Sequence, residues 1–112
     1  MQFEAGPIGT ALRRKYDIRF MYDTMPDGTV KTTCTISYVD PKIERGPEKY
    51  HEISRGVSIW NGKDQWDKNV GRHYALTRAI QTFPKASRKA AWEAYLNRRQ
   101  NNTGPDPEWY RH

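Results

Sequence analysis

The sequence has little of what most catalytic and metal-binding sites require. It contains one cysteine and only three histidines, His51, His73 and His112, which lie far apart. A single cysteine cannot form an intramolecular disulfide, and histidines so dispersed do not make a zinc site. The Gly-x-Ser-x-Gly, glycine-rich phosphate-binding and His-x-Glu deaminase motifs are also missing from the sequence. These absences predict a protein that is not an enzyme and that carries neither a metal nor a cofactor.

Apolar residues are few as well. Only 36% of the 112 residues are hydrophobic, and no long apolar run or signal peptide is present. A cytoplasmic protein without membrane contact is therefore expected. A chain of this length forms a single domain with a thin core, which self-association would enlarge. The four Trp, seven Tyr and three Phe compensate in part, because each aromatic ring buries a large area.

Negative charge is in the minority. The 19 Lys and Arg outnumber the 13 Asp and Glu, which gives a formal net charge of +6. A positive protein attracts phosphate-bearing partners, and the guanidinium fork of Arg matches phosphate in paired contacts. Small basic proteins are common, so the charge alone leaves the partner open.

The first half of the chain has the pattern of strands. Alternating apolar residues over 17–23 and 29–39 flank the turn signal Pro26-Asp27-Gly28 and predict a β-hairpin. A third strand is predicted from Glu52 to Trp60. Residues 1–16 are expected to form an N-terminal arm, and residues 17–99 a single domain.

The apolar period becomes helical after residue 64. Asp64 is expected to cap a helix from Gln65 to Phe83, with Asp67 completing a capping box. Pro84 ends this pattern, and a second helix is predicted from residue 85 or 87 to residue 99. Strands followed by helices indicate an α+β fold, with an antiparallel sheet of three or four strands and two C-terminal helices packed on one face.

Residues 100–112 read as a Pro-rich linker and an aromatic C-terminal tail. Two large aromatic residues, Trp109 and Tyr110, stand in this tail. They are predicted either to fold back on the core or to contact a neighbouring subunit, so a homo-oligomer is expected.

The candidate binding residues are cations and tryptophans in the second half of the chain. A ridge of small residues, Gly71, Ala75 and Ala79, would let a sheet or a flat ligand approach, and cations flank it. The candidates for phosphate contacts are Arg72, Arg78, Arg88 and Lys89, and those for base stacking are Trp60 and Trp66. Each has an ordinary alternative: the cations can be solvated surface charges, the ridge can serve helix packing, and Trp66 can be core.

Residues 56–79 contain the pattern Gly-Val-Ser, then Asp-x-Trp, then Gly-Arg-x-x-Ala-Leu-x-Arg-Ala. This segment resembles small phage and prophage proteins and is most similar to the viral Thoeris anti-defence sponges. The resemblance implies a virus-encoded oligomer in the host cytoplasm. Such a protein would sequester a cyclic ADP-ribose or cyclic nucleotide immune signal without cleaving it and so block anti-phage defence.

Two other functions stay open. A nucleic-acid-binding module fits the positive charge, and three strands followed by a helix are similar in order to part of a double-stranded RNA-binding domain. The basic surface also fits a protein–protein inhibitor of a host defence nuclease, such as an anti-CRISPR.

Overall fold

The computed structural model describes residues 1–6, 14–61 and 66–97. They form an antiparallel four-stranded sheet, followed by two helices that pack on one face of it. The strands lie in the order β1-β2-β3-β4, and they are Gln2–Ala5 (β1), Arg14–Thr24 (β2), Val30–Val39 (β3) and Tyr50–Trp60 (β4). The helices are Lys68–Ile80 (α1) and Lys85–Asn97 (α2). The predicted α+β fold is confirmed.

The hairpin between β2 and β3 follows from local turn chemistry. Gly28 has a φ of 87°, a conformation that glycine adopts without strain. The Asp27 carboxylate accepts hydrogen bonds from the backbone N–H and the hydroxyl of Thr29, at 3.0 and 2.7 Å. These bonds lower the pKa of Asp27, the side-chain bond from Thr29 contributing most.

The N-terminal segment, expected as an arm, contributes to the sheet. Gln2 to Ala5 pair with Asp17 to Arg14, so β1 is an edge strand and β2 begins at Arg14. The Ile18 N–H also donates to the Met1 carbonyl at 2.7 Å. Phe3 faces the core and is only 6% exposed. A strand of four residues carries too short an alternation to stand out in the sequence.

The core lies between the sheet and the helices. Its largest fully buried apolar side chains come from two strands and α1, and they are Ile18, Cys34, Ile36, Leu76 and Ile80. Burial raises the pKa of the Cys34 thiol to about 12, because the low-dielectric core disfavours the thiolate.

The small-residue ridge of α1 packs against the sheet. A Cβ at Gly56 of β4 would lie 2.1 Å from the Ala75 carbonyl oxygen and 2.4 Å from the Ala79 nitrogen. The Ser54 hydroxyl, two residues earlier on β4, donates to the Ala79 carbonyl. Glycine at position 56 therefore sets how closely α1 approaches the sheet, and the ridge serves helix packing.

The first helix begins later than the sequence pattern predicts. Trp66 and Asp67 precede the helix, and the Asp67 backbone is extended, with a φ of −119°. Its carboxylate accepts from the Asn69 N–H at 2.8 Å, so Asp67 is the N-cap. The expected N-cap, Asp64, lies outside the described residues. The helix ends at Ile80, because the Phe83 N–H closes a turn on the Ile80 carbonyl at 2.9 Å just before Pro84.

The face of the sheet away from the helices carries ion pairs. Arg19 pairs with Asp17 at 2.8 Å, and Arg55 pairs with Glu52 at 2.7 Å. The bond to Asp17 raises the pKa of Arg19. Neither helix in the described part of the chain is long and apolar enough to cross a membrane.

Candidate ligand-binding site

A cavity of about 300 Å³ lies where the end of β4 meets the start of α1. Two of its residues are the tryptophans predicted as base platforms. The lining comprises Thr32, Ser58, Ile59, Trp60, Asn61, Trp66, Asp67, Val70, Gly71 and Tyr74.

Three aromatic side chains give the cavity flat apolar surfaces. Trp60 ends β4, Trp66 immediately precedes the N-cap of α1, and Tyr74 lies on α1 with 53% of its surface exposed. The Trp66 ring is fixed by an edge contact with Tyr22 of β2, at 6.0 Å between ring centroids. Such surfaces suit a planar ligand.

The indole nitrogen of Trp60 is buried and has no hydrogen-bond partner among the described residues. A buried donor without an acceptor costs roughly 1–3 kcal/mol. The nitrogen is closed to solvent, so it lies behind the cavity wall, and a ligand acceptor would reach it only after the Trp60 side chain moved. This is the one buried side-chain polar atom without a partner in the described part of the chain, and its residue lines the cavity.

Polar groups are spaced among the aromatic rings. Thr32 and Ser58 are opposite each other on β3 and β4, and both contribute to the lining. Gly71 brings α1 so close that a Cβ there would lie 2.7 Å from the Thr32 hydroxyl oxygen. One oxygen of Asp67 caps α1, and the carboxylate has a second oxygen to offer as an acceptor. Hydroxyls and a carboxylate of this kind suit the hydroxyl groups of a sugar.

The predicted phosphate contacts are divided between the two sides of α1. Arg78 is exposed next to the cavity, and its guanidinium donates to the carbonyl of Val57, which directly precedes the lining residue Ser58. Arg72 instead faces β2, where it donates to the Tyr22 hydroxyl and lies 5.5 Å from the Phe20 ring centroid.

The two predicted residues of α2 do not line the cavity. Arg88 and Lys89 are exposed on α2. The tail residues Trp109 and Tyr110 lie outside the described residues.

Sequence reasoning missed Tyr74 and Lys68. Tyr74 was counted with the apolar face of a helix, yet it is half exposed in the cavity wall. The sequence could have identified Tyr74 as a site residue, because it stands four residues before Arg78 and residues at that spacing are neighbours on a helix. The Lys68 ammonium lies 4.9 Å from the Tyr22 ring centroid, a cation–aromatic contact that only the folded structure reveals.

Comparison with known proteins finds no family model, no curated protein and no solved structure that matches this chain. The resemblance of residues 56–79 to the Thoeris sponges therefore stays a prediction. Within the described residues, no group of three or more His, Cys, Asp or Glu side chains is placed to hold a metal ion.

Proposed function

We propose that this protein is a non-enzymatic binding protein that holds an anionic nucleotide-type ligand in the cavity between β4 and α1. The observation that carries the proposal is that three aromatic side chains, Trp60, Trp66 and Tyr74, line one cavity together with Ser58 and Asp67. The proposed ligand class comes from the sequence resemblance, which implies a cyclic ADP-ribose or cyclic nucleotide signal. A virus-encoded protein that captured such a signal in the host cytoplasm would block anti-phage defence.

The size and lining of the cavity support a bound base and ribose. Its volume of about 300 Å³ is at the lower end of the range for small-molecule sites, roughly 300–1,000 Å³. The aromatic rings offer stacking surfaces, and the half-buried Ser58 hydroxyl offers a hydrogen bond to ribose.

The phosphate groups are best placed outside the cavity, toward Arg78. Inside it they would meet the Asp67 carboxylate, and like charges repel. Arg78 uses one nitrogen on the Val57 carbonyl, which leaves other donors of the guanidinium for a phosphate. Arg72 lies against the Tyr22 ring, 5.7 Å from its centroid, and we assign it to positioning Tyr22 and, through it, Trp66.

Isothermal titration with cyclic ADP-ribose and with cyclic dinucleotides tests this assignment. We expect saturable binding at a fixed ratio per subunit, weakened at least about tenfold by Arg78→Gln, since a charged hydrogen bond contributes about 1.5–3 kcal/mol. Arg88→Gln, on the exposed surface of α2, is the matched control and should bind as the unmodified protein does. Binding that Arg88→Gln weakens and Arg78→Gln leaves intact would contradict the placement of the phosphate.

Self-association belongs to the same proposal. The thin core and the aromatic residues Trp109 and Tyr110 predict a homo-oligomer. Sedimentation of the full chain should show more than one subunit, and replacing both aromatic residues by Ser should yield monomers. A monomeric unmodified protein would refute this part of the proposal.

A further inference from the structure

We propose a second binding surface, at the end of the sheet remote from the cavity, for the unpaired bases of single-stranded nucleic acid. Four aromatic rings form a row there, one from each strand: Phe3, Tyr16, Tyr38 and His51. Cations from separate parts of the chain lie beside this row. We call these four rings the aromatic row.

The rings contact one another in sequence across the sheet. Phe3 stacks on Tyr16 at 5.4 Å between centroids, Tyr16 meets Tyr38 edge-on at 6.3 Å, and Tyr38 stacks with His51 at 6.2 Å. Exposure increases along the row. Phe3 is buried, Tyr16 and Tyr38 are half-buried, and 52% of the His51 side chain is exposed at the edge strand β4. The accessible part of the row is therefore its Tyr38–His51 end.

Positive charge collects at this end of the sheet. The Arg14 guanidinium lies 5.6 Å from the Tyr38 ring centroid. Tyr16 shares an apolar cavity of about 190 Å³ with Pro84 and Ser87, so the first turn of α2 lies near the half-buried middle of the row, and Lys85 and Arg88 are exposed on that turn.

None of these three cations forms an ion pair within the described residues, and the acidic group in contact with the row is Asp40, 3.6 Å from His51. The row thus combines aromatic rings with one cation in contact, Arg14, and two exposed cations on the nearby turn of α2, against one carboxylate at the His51 end.

That combination selects the partner. Aromatic side chains stack on bases only when the bases are unpaired, and neighbouring cations neutralise the phosphates between them. In a duplex the bases already stack on one another, so the rings would gain nothing from it.

The aromatic row and the cavity can be tested separately. His51 is the second residue of β4 and Trp60 is the last, which places the two sites roughly 30 Å apart at about 3.3 Å per residue. A variant of one site should leave the other unchanged.

Fluorescence anisotropy with labelled 15-nucleotide single strands of DNA and of RNA, and with duplexes of the same sequence, tests the proposal. We expect single strands of at least one type to bind more tightly than either duplex, with affinity falling as salt is raised. His51→Ala and Tyr38→Leu should each weaken binding roughly tenfold, since stacking on one base is worth about that much.

Tyr50→Leu and Trp60→Phe are the controls. Tyr50 precedes His51 but stacks with Arg19, at 4.2 Å from the guanidinium carbon to the ring centroid, rather than with the row. Both controls should bind single strands as the unmodified protein does. His51 is exposed, so its replacement tests the row even if Tyr38→Leu unfolds the chain.

Several results would each overturn the proposal. They are the absence of single-strand binding at low salt, unchanged affinity in His51→Ala, and duplex binding as tight as that of single strands. An equal loss of affinity in Tyr50→Leu would overturn it too, because the effect would then not belong to the row.

Discussion

Replacing Gly56 by alanine should destabilise the protein more than any other single added methyl group on the sheet. The new Cβ would lie 2.1 Å from the Ala75 carbonyl oxygen, 2.4 Å from the Ala79 nitrogen and 3.0 Å from the Ala79 Cα. All three atoms belong to the backbone of α1, so no side chain can rotate to make room. The helix itself must move away from β4.

The size of the effect follows from that displacement. Restoring an ordinary contact of about 3.5 Å requires α1 to move by more than about 1 Å. A gap of that size forfeits about a quarter to a half of the dispersion energy between the surfaces it separates. Overpacking in a core costs about 1–3 kcal/mol where side chains can adjust, and here none can. We expect a loss of at least about 3 kcal/mol, which lowers Tm by about 12 °C or more in a domain of this size.

Thermal and urea unfolding, both monitored by circular dichroism, measure this loss of stability. Gly71→Ala is the matched control. The atoms nearest to a Cβ at Gly71 would be those of the Thr32 side chain, its hydroxyl oxygen at 2.7 Å, and alanine improves helix propensity by about 1 kcal/mol. Gly71→Ala should therefore change stability by less than about 1 kcal/mol. The reasoning would be refuted if the Tm of Gly56→Ala lay within a few degrees of that of the unmodified protein. It would also be refuted if Gly71→Ala lost more stability than Gly56→Ala.

Two further predictions concern a buried thiol and a helix cap. The Cys34 thiol should react with iodoacetamide at pH 8 only after unfolding, because burial raises its pKa to about 12 and the thiolate is the nucleophile. The pKa of Cys34 is higher in the folded protein than in the unfolded chain. The protonated thiol therefore stabilises the folded state at pH values below the unfolded pKa, and this stabilisation is lost as the pH rises toward 12. Rapid labelling of the native protein, judged against urea-unfolded protein, would contradict both statements. Asp67→Ala should cost about 1 kcal/mol, measured by urea unfolding, because the Asn69 N–H loses its acceptor. Asp67→Asn should retain most of that stability, and equal losses in the two variants would argue against a capping role.

Local chemistry made much of the fold predictable. The hairpin needs only alternating apolar residues and the Pro26-Asp27-Gly28 turn, and both are visible in the sequence. The start of α1 was placed three residues too early, at Gln65, because Asp64 and Asp67 are both acceptable caps by residue type. Only the backbone shows that Asp67 is the residue with the extended conformation.

Part of the candidate site was also accessible from the sequence. Trp60 and Trp66 were selected as aromatic platforms on either side of a short connection, and the structure brings both to one cavity. The cations were harder to place. Arg72 and Arg78 are six positions apart on one helix, which puts them on different sides of it.

The aromatic row was beyond sequence reasoning. Its members stand at positions 3, 16, 38 and 51, and only the strand register makes them neighbours. The residue opposite His51 is Tyr38 because the pairing of β3 and β4 shifts by one residue between Ile36 and Ser37. A shift of one residue reverses which face of a strand each side chain occupies, and no residue pattern fixed it in advance.

Native mass spectrometry of the protein purified from cells with an active nucleotide-signalling defence tests the central claim most directly. The account predicts a nucleotide-type molecule at a fixed ratio to subunits, released intact by heat. It should be retained by Arg88→Gln and lost from a Trp60→Leu variant that still folds. An unmodified protein that emerges from such cells with no small molecule bound, and that takes up none when cyclic nucleotides are added, would contradict the account.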